Sequence, residues 1–397
     1  MSHPIYLDYA ASTPLDERVA NTMVPYLFNH LSIGNPSSTT HTYGRSAQDA
    51  IEKARANVAN LINAEPEQII WTSGATESNN LVIRGIINAS KKSIKHIITS
   101  ATEHKSILDP CRHFEQSDLR VTYLRPSKSG LIDLSELESA ICDDTILISI
   151  MHVNNEIGVI QNIDAIGRIA KLKNILFHVD AAQSVGKIKI DLKSLHVDLM
   201  SLNSHKLYGP KGIGALFIRA RSRIAIEPLL LGGGQEYGFR SGTLPTHQIV
   251  GMGEAYRIAL LEEQNDRVHV KKLRDLLVTK LLTIDEVYIN GDIDSSYAGI
   301  LNISFNYINS NQLIPHLKSL ALSTGSACSS STLESSYVLR ALGVDTQIAR
   351  GSIRLSFGRF TTDKEIDYAC NCITIAVDEL REKASLWHML KQSTQDS

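Results

Sequence analysis

Short runs of apolar residues alternate with longer amphipathic stretches from about residue 46 to residue 220. The runs have the length and branched composition of strands buried on both faces, and stretches such as 46–61 and 162–170 are typical of helices. This alternation predicts an α/β fold with a large, mostly parallel sheet between layers of helices. Ligands bind beyond the carboxyl ends of such strands. The predicted strands are Ile69–Trp71, His96–Ile98, Val121–Leu124, Ile146–Ile150, Ile175–Val179 and Asp198–Leu202.

The pattern changes in the second half of the chain, which indicates a second, smaller domain. A long helical stretch runs from about His247 to Leu282. Beyond it, helices are interleaved with three short apolar strands, at 287–289, 300–305 and 353–357. A chain of 397 residues is too long for one small core. We therefore predict a large α/β domain over residues 16–258 and a smaller α+β domain made of residues 1–15 and 259–397.

The composition is typical of a globular protein, with 43% hydrophobic and 21% charged residues. The net charge of −2 and the pI near 6.7 argue against nucleic acid or an anionic membrane as a direct partner. The first residues lack the pattern of a signal peptide, and no apolar run approaches the roughly 18 residues of a membrane span. Five cysteines are too few for a disulfide framework. We expect a reduced, cytoplasmic protein.

Cys328 lies in the stretch 323–331, where its neighbours have very small side chains. A buried structural cysteine needs larger apolar neighbours, whereas hydroxyls, glycine and alanine are typical of an accessible loop. The sequence therefore indicates an accessible thiol at Cys328. The pair Cys370 and Cys372 has no further ligands at metal spacing, so no metal site is predicted.

Two charged residues that follow predicted strands are suited to an aldehyde cofactor. Lys206 precedes a turn-rich segment, and a partly desolvated lysine amine forms Schiff bases readily. Asp180 ends another strand, where its carboxylate needs a partner such as a protonated pyridine nitrogen. The alternatives are a solvated surface lysine and a helix N-cap. Gln183 is then either a capping-box partner or a ligand to a ring hydroxyl. Lys211 is a weaker candidate than Lys206 because it lies in a turn.

Further features are weak alone but complete a cofactor site. Ser73–Ser78 opens a helix after a strand, so its backbone N–H groups and the Thr76 hydroxyl form a possible phosphate site. His104 follows a strand, where an imidazole can stack on a ring and move protons. Arg354, within an apolar strand, pairs either with a substrate carboxylate or in an edge-strand salt bridge. Asn155 supplies an amide at another strand end.

These residues lie within motifs that together resemble the cysteine desulfurases of the NifS/IscS family. The resemblance is greatest to the housekeeping IscS type, and it implies the class V aminotransferase fold, a fold-type-I transferase that uses pyridoxal 5'-phosphate. The motifs occur in order along nearly the whole chain, which makes the resemblance highly specific. They are Tyr6–Ala10, Gly34–Ser38, Thr72–Ser78, Thr102–Lys105, Met151–Gly158, His178–Asp180, His205–Lys206, Arg240–Thr243, Gly325–Cys328 and Ser352–Arg354.

The resemblance implies a role for each residue around the cofactor ring. Lys206 holds pyridoxal 5'-phosphate through a Schiff base, and Asp180 pairs with the ring nitrogen. His104 stacks on the ring, while Gln183 and Asn155 reach the ring hydroxyl.

The resemblance also implies how phosphate and substrate are bound. Arg354 and Asn155 bind the substrate carboxylate. Thr243 reaches the phosphate of a neighbouring subunit, which implies a homodimer. The phosphate contacts within one subunit come from Ala75, Thr76, Asn203 and His205. Asn203-Ser204 replaces the Ser-Gly that close relatives have before His-Lys, and we expect Asn203 still to donate to phosphate.

The implied activity is cysteine desulfurase. L-Cysteine becomes L-alanine, and its sulfur is held as a persulfide on Cys328. The sulfur then passes to acceptors for iron–sulfur cluster assembly and tRNA thiolation. The implied partners are an iron–sulfur scaffold protein and other sulfur acceptors, with less support for scaffold docking because the C-terminal tail is shorter than in housekeeping members. The resemblance leaves open that Cys328 contacts a 2Fe–2S cluster during transfer.

Two other classes of function compete with this interpretation. One is a selenocysteine lyase, or another lyase or aminotransferase that uses the same cofactor. Simple transamination gives no reason for an accessible Cys328. The second is a non-catalytic sulfur-assembly scaffold, which would need none of Lys206, Asp180 and His104. A purified protein without the yellow absorption of the bound cofactor would favour the scaffold.

Overall fold

A seven-stranded sheet is the centre of the computed structural model, which describes residues 3–28, 33–117, 119–324, 336–384 and 387. The strand order in this sheet is β2-β8-β7-β6-β5-β3-β4. The strands of the described chain are β1 (Ile5–Tyr6), β2 (Ile69–Thr72), β3 (Lys95–Ser100), β4 (Leu119–Leu124), β5 (Thr145–Met151), β6 (Leu176–Asp180), β7 (Leu199–Asn203), β8 (Gly214–Ile218), β9 (Val287–Ile289), β10 (Ile300–Phe305), β11 (Leu320–Ala321) and β12 (Ser352–Ser356).

Helices cover the sheet and connect its strands. Several begin with a side chain that accepts a backbone N–H of the first turn, such as Asn162 and Thr362. The helices are α1 (Glu17–Met23), α2 (Thr42–Leu61), α3 (Ala75–Ala89), α4 (Lys105–Phe114), α5 (Leu134–Ala140), α6 (Ile163–Leu172), α7 (Thr246–Leu281), α8 (Ser310–His316), α9 (Tyr337–Ala341), α10 (Thr346–Arg350) and α11 (Asp363–Arg381). Short 3-10 helices occur at Val24–Tyr26, Pro66–Gln68 and Glu236–Gly238.

All six predicted strands of the large sheet are present. The neighbouring strands β4, β3, β5, β6 and β7 pair in parallel. β8 is not among the predicted strands, and it pairs antiparallel with β7 and β2. The close approach of β8 to the segment after β2 depends on glycine, because a Cβ on Gly214 would come within 2.6 Å of the Gly74 Cα. This contact positions the segment between β2 and α3.

The two faces of the sheet bury different apolar clusters. Successive residues of a strand point to opposite faces. Ile98 and Ile148 therefore pack in one cluster with residues of α2, α6 and α7, whereas Ile97 and Leu147 pack in another with residues of α3 and α4. The prediction of a mostly parallel sheet covered on both faces is confirmed.

The second half of α7 lies in a further apolar cluster with the antiparallel sheet β9-β10-β12 and helix α11. Ile5 and Leu7 belong to the same cluster, and β1 pairs in parallel with β11. The first half of α7 packs against α2 in the cluster of the large sheet. The predicted domain boundary at residues 258 and 259 falls within this continuous helix and stays a prediction. Among the described residues, no helix is both long and apolar enough to span a membrane.

Candidate active site

A cavity of about 530 Å³ lies beyond the carboxyl ends of β5, β6 and β7, next to the start of α3. This volume is in the range of small-molecule and cofactor sites. Ten of the predicted site residues line it: Ala75, Thr76, His104, Asn155, Asp180, Gln183, Asn203, His205, Lys206 and Arg354. Residues far apart in the sequence therefore meet where the strand-end rule places a ligand.

Asp180 is held in the cavity wall by two donors. Its Oδ2 accepts a hydrogen bond from Asn79 Nδ2 at 2.8 Å, and its Oδ1 accepts one from the Ala182 backbone N–H at 2.9 Å. The residues after Asp180 form turns, so Asp180 is not a helix N-cap, and the capping-box alternative for Gln183 is wrong. Buried and fixed in this way, the carboxylate is suited to bind a cationic nitrogen.

His104 is joined to the same network from the start of α4. Asn79 Nδ2 also donates to Ser106 Oγ at 2.8 Å, which is 2.8 Å from His104 Nδ1. The Ser106 backbone N–H donates to His104 Nδ1 at 3.1 Å, so the neutral imidazole carries its hydrogen on Nε2. Burial lowers the pKa of His104, which favours that neutral form.

Lys206 follows β7 and is half-buried against the cavity, unlike a solvated surface lysine. Burial lowers the pKa of its ammonium group, although the nearby Asp180 carboxylate acts in the opposite direction. A lowered pKa increases the fraction of neutral amine, the form that attacks an aldehyde. The weaker candidate, Lys211, is exposed at the edge of the same cavity.

One end of the cavity has the features of a phosphate site. The first residues of α3, Ala75 and Thr76, line it with the positive end of the helix dipole. Asn203 Oδ1 and His205 Nδ1 are buried there without a hydrogen-bond partner among the described residues. Burial lowers the pKa of His205 to about 4, so its ring is neutral at pH 7. Buried polar atoms without partners, on residues that line a cavity next to a helix start, indicate a polar ligand.

Arg354 closes the cavity from β12. Its Nη2 donates to Asp8 Oδ1 at 2.6 Å and its Nη1 to the Asn155 carbonyl oxygen at 2.8 Å. The predicted salt-bridge alternative is therefore present, on a strand at the edge of its sheet. The guanidinium still lines the cavity, and its buried Nε has no partner among the described residues. A donor thus remains available for a substrate carboxylate.

Two predicted site residues remain, and only Thr243 belongs to the part of the chain that the structure describes. Thr243 is exposed on a loop outside the cavity, although Arg240 of the same loop forms an ion pair with Glu77 of α3 at 3.0 Å. Cys328 lies outside the described residues. Within the described ranges, no group of three or more His, Cys, Asp or Glu side chains is arranged to hold a metal ion.

The fold and site agree with the comparisons to known proteins. The class V aminotransferase family model matches residues 5–369, and the chain belongs to this family. It is 55% identical to the cysteine desulfurases IscS of Vibrio vulnificus and Shewanella oneidensis, over 98% of this chain and 97% of each relative. The predicted fold class and the predicted resemblance to the cysteine desulfurases are confirmed.

Solved structures give the same result. A NifS-like protein that is 37% identical superposes with a TM-score of 0.87, covering 93% of this chain and 98% of the other. SspA in complex with cysteine is 38% identical, with a TM-score of 0.81 over 90% of this chain and 100% of that one.

Proposed function

We propose that this protein is a cysteine desulfurase that uses pyridoxal 5'-phosphate to convert L-cysteine into L-alanine. The observation that carries the proposal is the meeting of Lys206, Asp180, His104 and Arg354 around one cavity. A lysine amine, a fixed carboxylate, an imidazole and a guanidinium are the groups needed to hold this cofactor and an amino acid together.

The residues present fit the cofactor at both of its ends. The backbone N–H groups at the start of α3 suit the phosphate group. His205 Nδ1 has no partner among the described residues and lies nearby, and Asn203 would donate to the phosphate through its Nδ2, because its Oδ1 can only accept. Asp180 suits the pyridine nitrogen, and Lys206 suits the aldehyde carbon. When bound, pyridoxal 5'-phosphate supplies an electron sink for the electron pair left on the substrate α-carbon.

The chain's own groups bind and orient the substrate. Arg354 binds the substrate carboxylate with its remaining donor capacity. Asn155 lies beside it, and its Oδ1 has no partner in the described part of the chain. Asp8 holds the guanidinium in place through a 2.6 Å contact. A guanidinium fixed in this way orients the α-carbon toward the Lys206 amine.

Lys206 and His104 move protons in this account. Lys206, once its amine is free and neutral, takes the α-proton, because burial has lowered the pKa of its ammonium. His104 carries its neutral-form hydrogen on Nε2, the ring nitrogen that Ser106 leaves free. It therefore presents a donor toward the cavity that it lines.

Cys328 is proposed to accept the sulfur. A bond forms between its thiolate and the substrate sulfur as the substrate carbon–sulfur bond breaks, and the carbon takes up a proton, so that alanine leaves. The products are L-alanine and a Cys328 persulfide.

We further propose that acceptors for iron–sulfur cluster assembly and tRNA thiolation take this sulfur. We also propose that the protein acts as a homodimer in which Thr243 reaches the partner's phosphate site.

The proposal is tested by locating the bound cofactor chemically. The protein is incubated with pyridoxal 5'-phosphate, treated with borohydride and digested, and the modified peptide is identified by mass spectrometry. We expect the modification at Lys206 in the wild type and in Lys211→Ala. A modification at Lys211, or a wild-type protein that does not bind the cofactor, would contradict the proposal.

A further inference from the structure

Lys187 is a half-buried lysine directly behind the candidate cofactor site, and burial, together with the nearby Lys206, lowers its pKa to about 7. Its Nζ donates to Gln183 Oε1 at 3.0 Å and lies 5.5 Å from the centre of the Tyr297 ring. No carboxylate lies within ion-pair distance of this ammonium in the part of the chain that the structure describes. Lys187 does not line the 530 Å³ cavity, whereas Gln183 does. The main polar contact of this cation is therefore a residue of the site.

Gln183 is held at both ends of its amide. Oε1 accepts from the Lys187 ammonium, and Nε2 donates to the Ala10 carbonyl oxygen at 2.7 Å. Turning the amide over would place its oxygen against the Ala10 carbonyl oxygen, and would place its NH₂ against the Lys187 nitrogen, which as an ammonium has no acceptor. The orientation is therefore determined by the Ala10 carbonyl and the Lys187 amine together. One of the two hydrogens on Nε2 remains unused beside the cavity.

The backbone keeps the two side chains together. Gln183 and Lys187 lie in the turns that follow Asp180, and Gly186 between them has a φ of +68°. A Cβ on Gly186 would come within 2.6 Å of Leu207 Cδ2, the residue after Lys206. The segment carrying Lys187 is thus packed closely against the segment carrying Lys206.

We propose that Lys187 is a positioning residue that fixes the Gln183 amide so that its free N–H is held for the ring hydroxyl of the cofactor. This inference rests on the proposed function. Lys187 acts through Gln183 alone and touches neither cofactor nor substrate. An apolar side chain of similar length leaves Oε1 without its donor and the amide held only through the Ala10 carbonyl oxygen. The amide can then rotate away from the orientation in which its second N–H faces the cavity.

The proposal is tested by the affinity of the apoprotein for pyridoxal 5'-phosphate, measured by absorbance titration. Lys187→Met is expected to bind about tenfold more weakly, the effect of losing one well-oriented hydrogen bond. Lys189→Met, which removes an exposed cation two residues further on, is expected to bind as the wild type does. Thermal unfolding of the apoproteins checks that both variants fold.

A double-mutant cycle separates positioning from a general structural effect. Because Lys187 acts through Gln183, the double variant Lys187→Met/Gln183→Leu is expected to bind no more weakly than Gln183→Leu alone. The absorption maximum of the bound cofactor is expected to shift equally in both single variants. Should Lys187→Met not fold, Lys187→Arg takes its place and, as a cationic donor, is expected to keep wild-type affinity within about threefold.

The outcomes distinguish this inference from the proposed function. Wild-type affinity in Lys187→Met, losses that add in the double variant, or tenfold weaker binding in Lys187→Arg would overturn the positioning role. A wild-type protein that does not bind pyridoxal 5'-phosphate would instead overturn the proposed function on which the inference rests.

Discussion

Asn79 connects the residues that surround the candidate cofactor ring. Its amide nitrogen donates both to Asp180 and to Ser106, and Ser106 in turn contacts His104. A strand-end rule does not identify Asn79, because it lies within α3 and meets Asp180 across 101 positions of the sequence. Sequence patterns do not identify the roles of Ser106 and Lys187 for the same reason. Their roles come from side-chain hydrogen bonds between elements, which no local pattern encodes.

Asn79→Ala is therefore expected to lower kcat for alanine formation by about tenfold or more, with a smaller change in KM. The variant removes one hydrogen bond to a buried carboxylate and loosens His104 through Ser106. Asn88→Ala, an exposed amide on the same helix, is the matched control. Equal kinetics for Asn79→Ala and Asn88→Ala would show that the network does not support the site.

At the scale of elements, a buried ion pair holds the loop that carries Arg240 and Thr243. Glu236 accepts from both terminal nitrogens of Arg55 on α2, each at 2.9 Å, and from the Trp71 backbone N–H at 2.7 Å. Both side chains are nearly inaccessible, at 3% and 2% exposed. Glu236 adopts a φ of +50°, which is unusual for this residue type. These contacts stabilise the loop against the edge of the sheet.

Glu236→Ala is expected to lower the free energy of unfolding by about 3 kcal/mol, because it leaves the buried Arg55 guanidinium without its main counter-charge. Arg55 also contacts Glu52, which is 44% exposed, so Glu52→Ala should change stability by less than about 1 kcal/mol. Urea unfolding of the two variants measures both values. Comparable losses in both variants would contradict the assignment of Glu236 as the anchor.

His178 connects three neighbouring strands of the large sheet. Its Nδ1 is 2.9 Å from Ser149 Oγ on β5, and its Nε2 is 2.9 Å from Ser201 Oγ on β7. Burial lowers the pKa of this fully enclosed imidazole from its ordinary value of about 6.5 to about 4. Its contribution to stability is therefore present above pH 6.5 and is lost as the pH falls toward 4.

Because the unfolded protein binds a proton at His178 more readily than the folded protein, lowering the pH from 7 to 5 is expected to lower the free energy of unfolding of the wild type. About 2 kcal/mol of this loss is expected to arise from His178. His178→Gln keeps hydrogen-bonding capacity without a titrating ring, so its stability should fall by about that much less over the same interval. Urea midpoints at the two pH values give the comparison. An identical pH dependence in wild type and variant would show that His178 is not charged on unfolding in this range.

At the scale of the whole molecule, the sequence predicts the large sheet well because its central strands are continuous apolar runs. β8 is missed because Gly214 follows a turn-rich segment and the strand runs antiparallel, against the helix-and-strand alternation. The second core around β9, β10 and β12 agrees with the predicted change of pattern, whereas the domain boundary stays a prediction. The cytoplasmic location and the homodimer likewise stay predictions.

The candidate site is predicted to a similar extent and for a related reason. Residues that directly follow strands, such as Asp180 and Lys206, are found because the chemistry occurs at strand ends. The ion pair between Arg354 and Asp8 joins residues 346 positions apart. The sequence predicts an edge-strand salt bridge only as an alternative for Arg354 and does not identify Asp8 as its partner. Folding brings such supporting groups to the cavity from both apolar cores.

The most direct test of the account measures sulfide and alanine released from L-cysteine in the presence of a reductant. The wild type is predicted to form both products, and Lys206→Ala neither. Cys328→Ala is predicted to keep the colour of the bound cofactor while releasing no sulfide. Sulfide release at the full wild-type rate from Cys328→Ala would contradict the persulfide route, and a lyase reaction would then replace it.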